Sequence, residues 1–300
     1  MKARPLWKVS VTTPVEAEDA VAELLGRVFS EPASTYTDAE TRQSVSTMFF
    51  EKRTDFSRTQ RTALQDGLAC IRGCGLDIGA GTISTRQVRR EDWAESWKRH
   101  FKPMDIRDVL LIKPSWSRRR PKRHQAVVIL DPGLSFGTGQ HPTTRFCLDQ
   151  IVAFRRPGRG QGFLDIGTGS GLLAIAAAKV GYSPITAFDC DPEAIRVARG
   201  NGRQNGVLDQ LALARRDLTR LPLNSKGKYD LICANLIFDL LLAEKWRILN
   251  RLRPEGRLVL AGILQRQFPD VQKAYEQAGL IAVERRQETE WESGAFVFRR

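Results

Sequence analysis

An α/β fold class follows from a glycine-rich unit in the middle of the chain, from the strand–helix alternation after it, and from a different order of elements before it. The unit is FLDIGTGSGLLAIAAAKVGYSPITAFD, ending at Asp189. A short apolar strand, 162–166, carries Asp165. Three glycines follow at alternate positions: Gly167, Gly169 and Gly171. An alanine-rich helix, 172–180, comes next, with Gly181 just past its last periodic residue, where helix ends favour glycine. A second apolar strand, 184–188, leads to Asp189. This succession is the first half of a doubly wound, Rossmann-like sheet, which binds ligands at the carboxyl ends of its strands.

The alternation continues to the end of the chain. Asp191 and Pro192 are suited to the cap and first turn of a helix over 192–200. Strands follow at 211–214, before Arg215-Arg216-Asp217, and at 229–234, ending at Asn235. A helix at 238–252, a strand at 257–261, a helix near 266–278 and two antiparallel strands, about 280–287 and 293–299, complete seven strands with a reversed final hairpin. Before the sheet the order differs. A strand at 6–13, a helix at 15–29 opened by Pro14, strands near 33–38 and 45–52, a helix at 57–72 and a strand at 82–88 form the split βαβ pattern of a small α+β ferredoxin-like domain. The glycines of 73–81 flank too short an apolar run to form a second ligand loop. The expected division is therefore 1–89, a linker over 90–130 and a sheet domain over 131–300. In the linker, Trp93, Trp97 and Phe101 form one stripe of a helix at 90–101. Strands at 109–113 and 126–130 flank the loop Arg118-Arg119-Arg120-Pro121-Lys122-Arg123.

Composition narrows the classes. The chain has 300 residues, 42% hydrophobic and 27% charged, as a globular protein has. No apolar run approaches the roughly 18 residues of a spanning helix, so no membrane role is expected. Lys2 and Arg4 have no apolar stretch behind them, so a secretory signal is not expected. The five cysteines are scattered without a CxxC pair, and the simplest reading is a reduced cytoplasmic protein. His100, His124 and His141 do not cluster, so no metal site is expected. Net charge is +13. Either a polyanionic partner such as RNA or a ribonucleoprotein, or simply a basic surface, accounts for it. The arginine-rich loop has no interleaved aromatic residue, so base stacking there has no support.

Glycine spacing bears on the ligand. A dinucleotide site reads G-x-G-x-x-G, but position 172, where its third glycine belongs, is Leu172. The pattern D-x-G-x-G-x-G resembles motif I of the class I S-adenosylmethionine-dependent methyltransferases, whose cofactor carries no phosphate. Asp189, 22 residues past Gly167, is placed to accept from ribose hydroxyls. A second glycine-rich segment, DPGLSFGTGQHPTT, runs from Asp131 to Thr144 and leads into an amphipathic helix at 145–154. Taken with LDIGTGSGLLAIAAAK, DCDPEAI and YDLICANLI, it is similar to the bacterial PrmA family, which methylates the large-subunit ribosomal protein L-eleven. REDWAESWKRHFKP and Glu290-Trp291 are similar too. The likeness is strong over about 90–300. Toward the N-terminus it lies in the order of elements.

The resemblance implies a class I methyltransferase domain over 131–300 and substrate recognition by 1–89. The implied reaction is N-methylation of lysine side chains, an α-amine or both on a ribosomal protein, with another protein or RNA as the alternative acceptor. It implies S-adenosylmethionine contacts at Thr144, Gly167, Gly169, Asp189 and Asn235, with Phe136, Gly137, Thr138 and Gly139 near the cofactor and the incoming amine. Asn235 would position the amine, with no dedicated base. His141 is a candidate proton acceptor, but Pro142 after it favours a loop-structural role. Asp217 either meets the adenine amino group or is simply solvated. Thr168, Gln140 and Leu236 stand where the family usually has Cys, Thr and Ile.

Overall fold

A computed structural model describes residues 6–29, 33–38, 43–50, 56–88, 102–131, 141–225 and 227–299. The helix expected at 90–101 and the loop 132–140 lie outside the described residues. The chain divides into two units, 1–100 and 101–300.

In the first unit, β1 (Leu6–Pro14), α1 (Glu18–Phe29), β2 (Ser34–Asp38), β3 (Gln43–Phe50), α2 (Arg58–Gly73) and β4 (Thr82–Val88) follow one another. The strands form one antiparallel sheet in the order β2-β3-β1-β4. Val9, Val11 and Met48 pack from the sheet against Val21, Leu24 and Leu25 of α1 and Leu64 and Leu68 of α2. The helices approach closely at Gly67, where a Cβ would lie 2.3 Å from Leu24 Cδ1. Ser57 and Gln60 cap each other's backbone at the start of α2, fixing its first turn.

The second unit begins with a small sheet of β5 (Met104–Ile106), β6 (Leu110–Lys113) and β7 (Ala126–Ile129), in that order. Three residues of β5 are too few to show a periodic pattern, and sequence reasoning did not find them. Ile106, Leu110, Ile112 and Val128 are buried in one cluster with Phe146 and Ile151, so this segment belongs to the core of the second unit.

There follow α3 (Pro142–Phe154), β8 (Phe163–Ile166), α4 (Leu172–Lys179), β9 (Ile185–Asp189), α5 (Pro192–Gln204), β10 (Leu211–Arg215), β11 (Tyr229–Asn235), α6 (Phe238–Ala243), α7 (Lys245–Leu249), β12 (Leu252–Leu264), α8 (Phe268–Gln277), β13 (Leu280–Glu288) and β14 (Trp291–Phe298). The sheet order is β10-β9-β8-β11-β12-β14-β13. Strands β8 to β12 are parallel, and β14 is reversed, pairing antiparallel with both β12 and β13. Alternate residues feed two cores. Phe163, Leu231, Cys233 and Val259 face α3 and α4. Leu164, Ile232, Ala234 and Leu258 face Leu241, Ile248, Phe268 and Tyr275. Burial on both faces explains why these strands read as continuous apolar runs.

Two elements differ from expectation. The helix at 192–200 extends to Gln204. Gly200 and Gly202 weaken it on propensity alone, yet the helix runs through both, and a Cβ at Gly202 would meet Leu208 and Leu211 at ordinary contact distance, 3.4 Å. The helix expected at 238–252 is two short helices. Glu244 leaves helical geometry at φ −101° and ψ 17°, and Leu252 pairs with Tyr229 as the start of β12.

Candidate active site

The glycine turn joins β8 to α4. Gly167, Gly169 and Gly171 have φ of 73°, 52° and 81°, a region costing a residue with a side chain about 1–2 kcal/mol. Space is also short. A Cβ on Gly171 would lie 2.9 Å from Ala198 Cβ and 3.1 Å from its Cα, and that backbone cannot swing away. Gly171 is therefore where α5 presses on the turn. Leu172, one residue later, is buried in the core.

Two carboxylates flank the turn. Asp189, at the end of β9, accepts from the Gly169 N–H at 2.9 Å and the Asp191 N–H at 3.1 Å. Asp165 is 1% exposed. It accepts from the Thr168 hydroxyl at 2.6 Å, and its other oxygen has no hydrogen-bond partner among the described residues. Burial, with the Asp189 charge adding in the same direction, pushes its carboxyl up to about 7 against the opposing hydrogen bonds. Thr168, one of the departures from the family pattern, thus supplies a hydrogen bond to a buried acid.

Above the turn opens a cavity of about 470 Å³. Phe188, Asp189 and Leu218 line one end. His141, Thr143, Thr144, Asn235 and Trp291 line the other. Pro142 fits the first turn of α3, and this places Thr143 and Thr144, both buried, where the helix meets the sheet. Thr143 Oγ1 accepts from Asn235 Nδ2 at 3.3 Å and lies 2.7 Å from His141 Nδ1. The His141 ring meets Trp291 edge-on at 4.9 Å. Burial pushes the His141 pKa down, while the charges of Glu290 and Glu288 pull it up.

Asn235 ends β11 level with Ala261. Gly262, at φ 81°, makes room for it, since a Cβ there would lie 2.9 Å from Asn235 Oδ1. Among the described residues no hydrogen bond reaches that oxygen. Asp217 also lines the cavity. One of its oxygens accepts from the Thr219 N–H and hydroxyl, capping the next turn and holding its carboxyl below the usual range.

Five residues expected at the site therefore share one cavity: Thr144, Gly167, Gly169, Asp189 and Asn235. Phe136, Gly137, Thr138 and Gly139 lie outside the described residues. Sequence reasoning missed Thr143 and preferred a loop-structural role for His141 over that of a proton acceptor. It gave Trp291 no place at the site. The adjacent hydroxyls after Pro142 were the available signal for Thr143. Trp291 had none, standing alone between charged residues. Among the described residues no three His, Cys, Asp or Glu side chains gather as metal ligands.

A pyrophosphate at a glycine turn needs positive charge and open N–H groups. Here Asp189 takes up the Gly169 N–H and Asp165 lies close by. The carboxylates of Asp189 and Asp217, which line the cavity, favour a cation there, and a carboxylate at the end of the second strand suits the hydroxyls of a ribose. A cationic nucleoside meets both conditions, and it marks the class: the chain is an S-adenosylmethionine-dependent methyltransferase. The family model described as Ribosomal protein L11 methyltransferase (PrmA) matches residues 5–298. The chain belongs to this family.

Two relatives named ribosomal protein L11 methyltransferase illustrate the similarity. That of Pelotomaculum thermopropionicum is 39% identical over 78% of this chain and 74% of its own length. That of Caldanaerobacter subterraneus subsp. tengcongensis is 31% identical over 95% of this chain and 96% of its own. The crystal structure of a ribosomal protein L11 methylase from Lactobacillus delbrueckii subsp. bulgaricus superposes with a TM-score of 0.59 at 29% identity, covering 67% of this chain and all of that one.

Proposed function

We propose that this chain methylates amino groups, on lysine side chains, an α-amine or both, of a large-subunit ribosomal protein, with S-adenosylmethionine as donor. One observation carries the reading: the carboxylate of Asp189, fixed by the glycine turn, opens into the same cavity as the carbonyl oxygen of Asn235, which has no partner among the described residues. A ribose acceptor and an amine acceptor thus face one space.

When bound, the cofactor supplies an electrophilic methyl group on a cationic sulfur. Gly167 and Gly169 would leave bare backbone for it, Asp189 would hold its ribose, and Thr144 and Asn235 would contact it. The family resemblance assigns Phe136, Gly137, Thr138 and Gly139, outside the described residues, to the cofactor and the incoming amine. The substrate proton is the main obstacle, because a lysine of pKa about 10.4 is a cation at neutral pH, and lowering it three units costs about 4 kcal/mol. Apolar walls and a nearby positive charge both shift it that way. Asn235 Oδ1 then accepts an N–H and points the lone pair, while water removes the proton. No dedicated base is required.

β11 leads into Asn235, Leu236 and Ile237, and Ile237 is 69% exposed. Enzymes that methylate base amino groups use an aromatic just past a Pro-Pro turn to stack the flipped base. Here Leu236 and Ile237 replace the prolines, and Phe238 packs against the core rather than lining the cavity, which favours a protein acceptor over RNA. The sheet order and reversed hairpin support a Rossmann-like methyltransferase domain over 131–300. The β2-β3-β1-β4 order supports a ferredoxin-like substrate-recognition domain over 1–89, with 90–130 between them. Among the described residues no helix is long and apolar enough to cross a membrane, and the ribosomal substrate argues for the cytoplasm.

Incubation with isotopically labelled S-adenosylmethionine and a panel of purified large-subunit ribosomal proteins tests the reading by mass spectrometry. Methyl increments on lysine or the N-terminus of one of them are expected. Labelling of RNA alone would reject it.

A further inference from the structure

The positive charge is unevenly spent. In the loop that the sequence singles out, Arg119 pairs with Asp105 at 3.1 Å, and Lys122 pairs with both Asp105 and Asp108. A second basic group is less neutralised. Arg196, Arg199 and Arg203 of α5 and Arg215 of β10 line a groove of about 380 Å³, with Pro192 and Ile195 beside them. Arg196 is held by Glu193. Among the described residues Arg199, Arg203 and Arg215 form no ion pair. Arg215 Nε donates to the Cys190 carbonyl at 3.2 Å, which fixes its position on the sheet's edge strand.

Arg199 and Arg203 stand one turn apart on the same helix face, about 6 Å along the axis. That repeat is comparable to the spacing of successive phosphates on one nucleic-acid strand. The same helix is tied to the segment that carries the basic loop. Gln204 donates to Asp131 at 3.2 Å, and Asp131 accepts from the Ser115 N–H at 2.7 Å, at the root of the segment bearing Arg118, Arg120 and Arg123. Guanidinium groups bind phosphate oxygens in pairs. No aromatic side chain lines the groove, so it offers no aromatic platform for stacked bases.

We propose that this groove binds the phosphate backbone of RNA without sequence preference. The choice of RNA rests on the proposed function, since a ribosomal acceptor brings RNA to the enzyme. An acidic peptide is the competing occupant, and the groove offers it few apolar anchors.

The test is fluorescence anisotropy of a short labelled duplex RNA with the full chain, from roughly 50 to 200 mM KCl. The expected result is binding that weakens steeply with salt. Arg199→Ala/Arg203→Ala should weaken it about tenfold and reduce the slope of log K against log salt by about 2. Calorimetry with S-adenosylhomocysteine, expected to be unchanged in that variant, confirms an intact fold. An unchanged affinity and slope in the double variant would overturn the inference. So would competition by polyglutamate as effective, charge for charge, as RNA. Normal RNA binding by a chain that labels no ribosomal protein would count against the proposed function and leave the groove assignment standing.

Discussion

The two ends of the cavity are made by opposite means. The donor end is local: a single strand–turn–helix–strand unit supplies its glycines and Asp189, and backbone geometry does most of the work. The acceptor end is assembled from the start of α3, the end of β11 and the start of β14, and side-chain contacts among His141, Thr143, Asn235 and Trp291 hold it together. A site made of backbone has no room for a side chain and fails abruptly. A site made of side-chain contacts should lose function in steps.

The largest expected effect tests the first half of that contrast. Gly171→Ala combines left-handed strain with a contact on the Ala198 backbone, so a stability loss of about 2–5 kcal/mol is expected in denaturant melts. A second donor-end change should act through pH. Unfolded, an aspartate titrates near about 3.9; folded, Asp165 is raised to about 7. Below both values each state is protonated and Asp165 is neutral toward stability. Between them the unfolded chain ionises first, so stability falls as pH rises, by up to about 4 kcal/mol above 7. Asp165→Asn should flatten that fall, and melts at pH 4 and pH 8 would reveal it. An equal fall in both proteins would contradict the assignment.

Effects at the ligand follow in size. Asp189→Asn removes a charged acceptor worth about 1.5–3 kcal/mol. Calorimetry should show S-adenosylhomocysteine affinity down roughly 10- to 100-fold. Asn235→Ala should lower kcat about tenfold, with a smaller change in cofactor affinity. Full turnover with unchanged affinity would remove Asn235 from the mechanism. Thr143→Val, which deletes the hydroxyl between Asn235 and His141, should cost only a few-fold in kcat. Were it as damaging as Gly171→Ala, the contrast between the two ends would collapse.

The same contrast explains what could be read from the chain. Gly167, Gly169, Gly171 and Asp189 were legible because their spacing is the geometry. Asn235 was legible only as the residue closing an apolar strand. Thr143 and Trp291 escaped because their proximity exists only after β11 and β14 join one sheet. Strand-to-helix alternation located nearly every element of the second unit, since burial on both faces leaves uninterrupted apolar runs. It ended α5 too early, because low helix propensity at Gly200 and Gly202 does not stop the helix there, and it ran past Glu244, where the chain leaves helical geometry. It failed also at β5, too short to show a period.

One buried side chain has a consequence for solubility. Asn205 receives the Ile129 N–H on its oxygen and donates its amide to the Ile129 carbonyl, each at 2.7 Å. It stands in for a neighbouring strand at the open margin of β7. Unpaired margins of that kind recruit other chains and seed aggregates. A single carboxamide therefore satisfies both backbone groups of Ile129 that such a margin would otherwise offer to another chain.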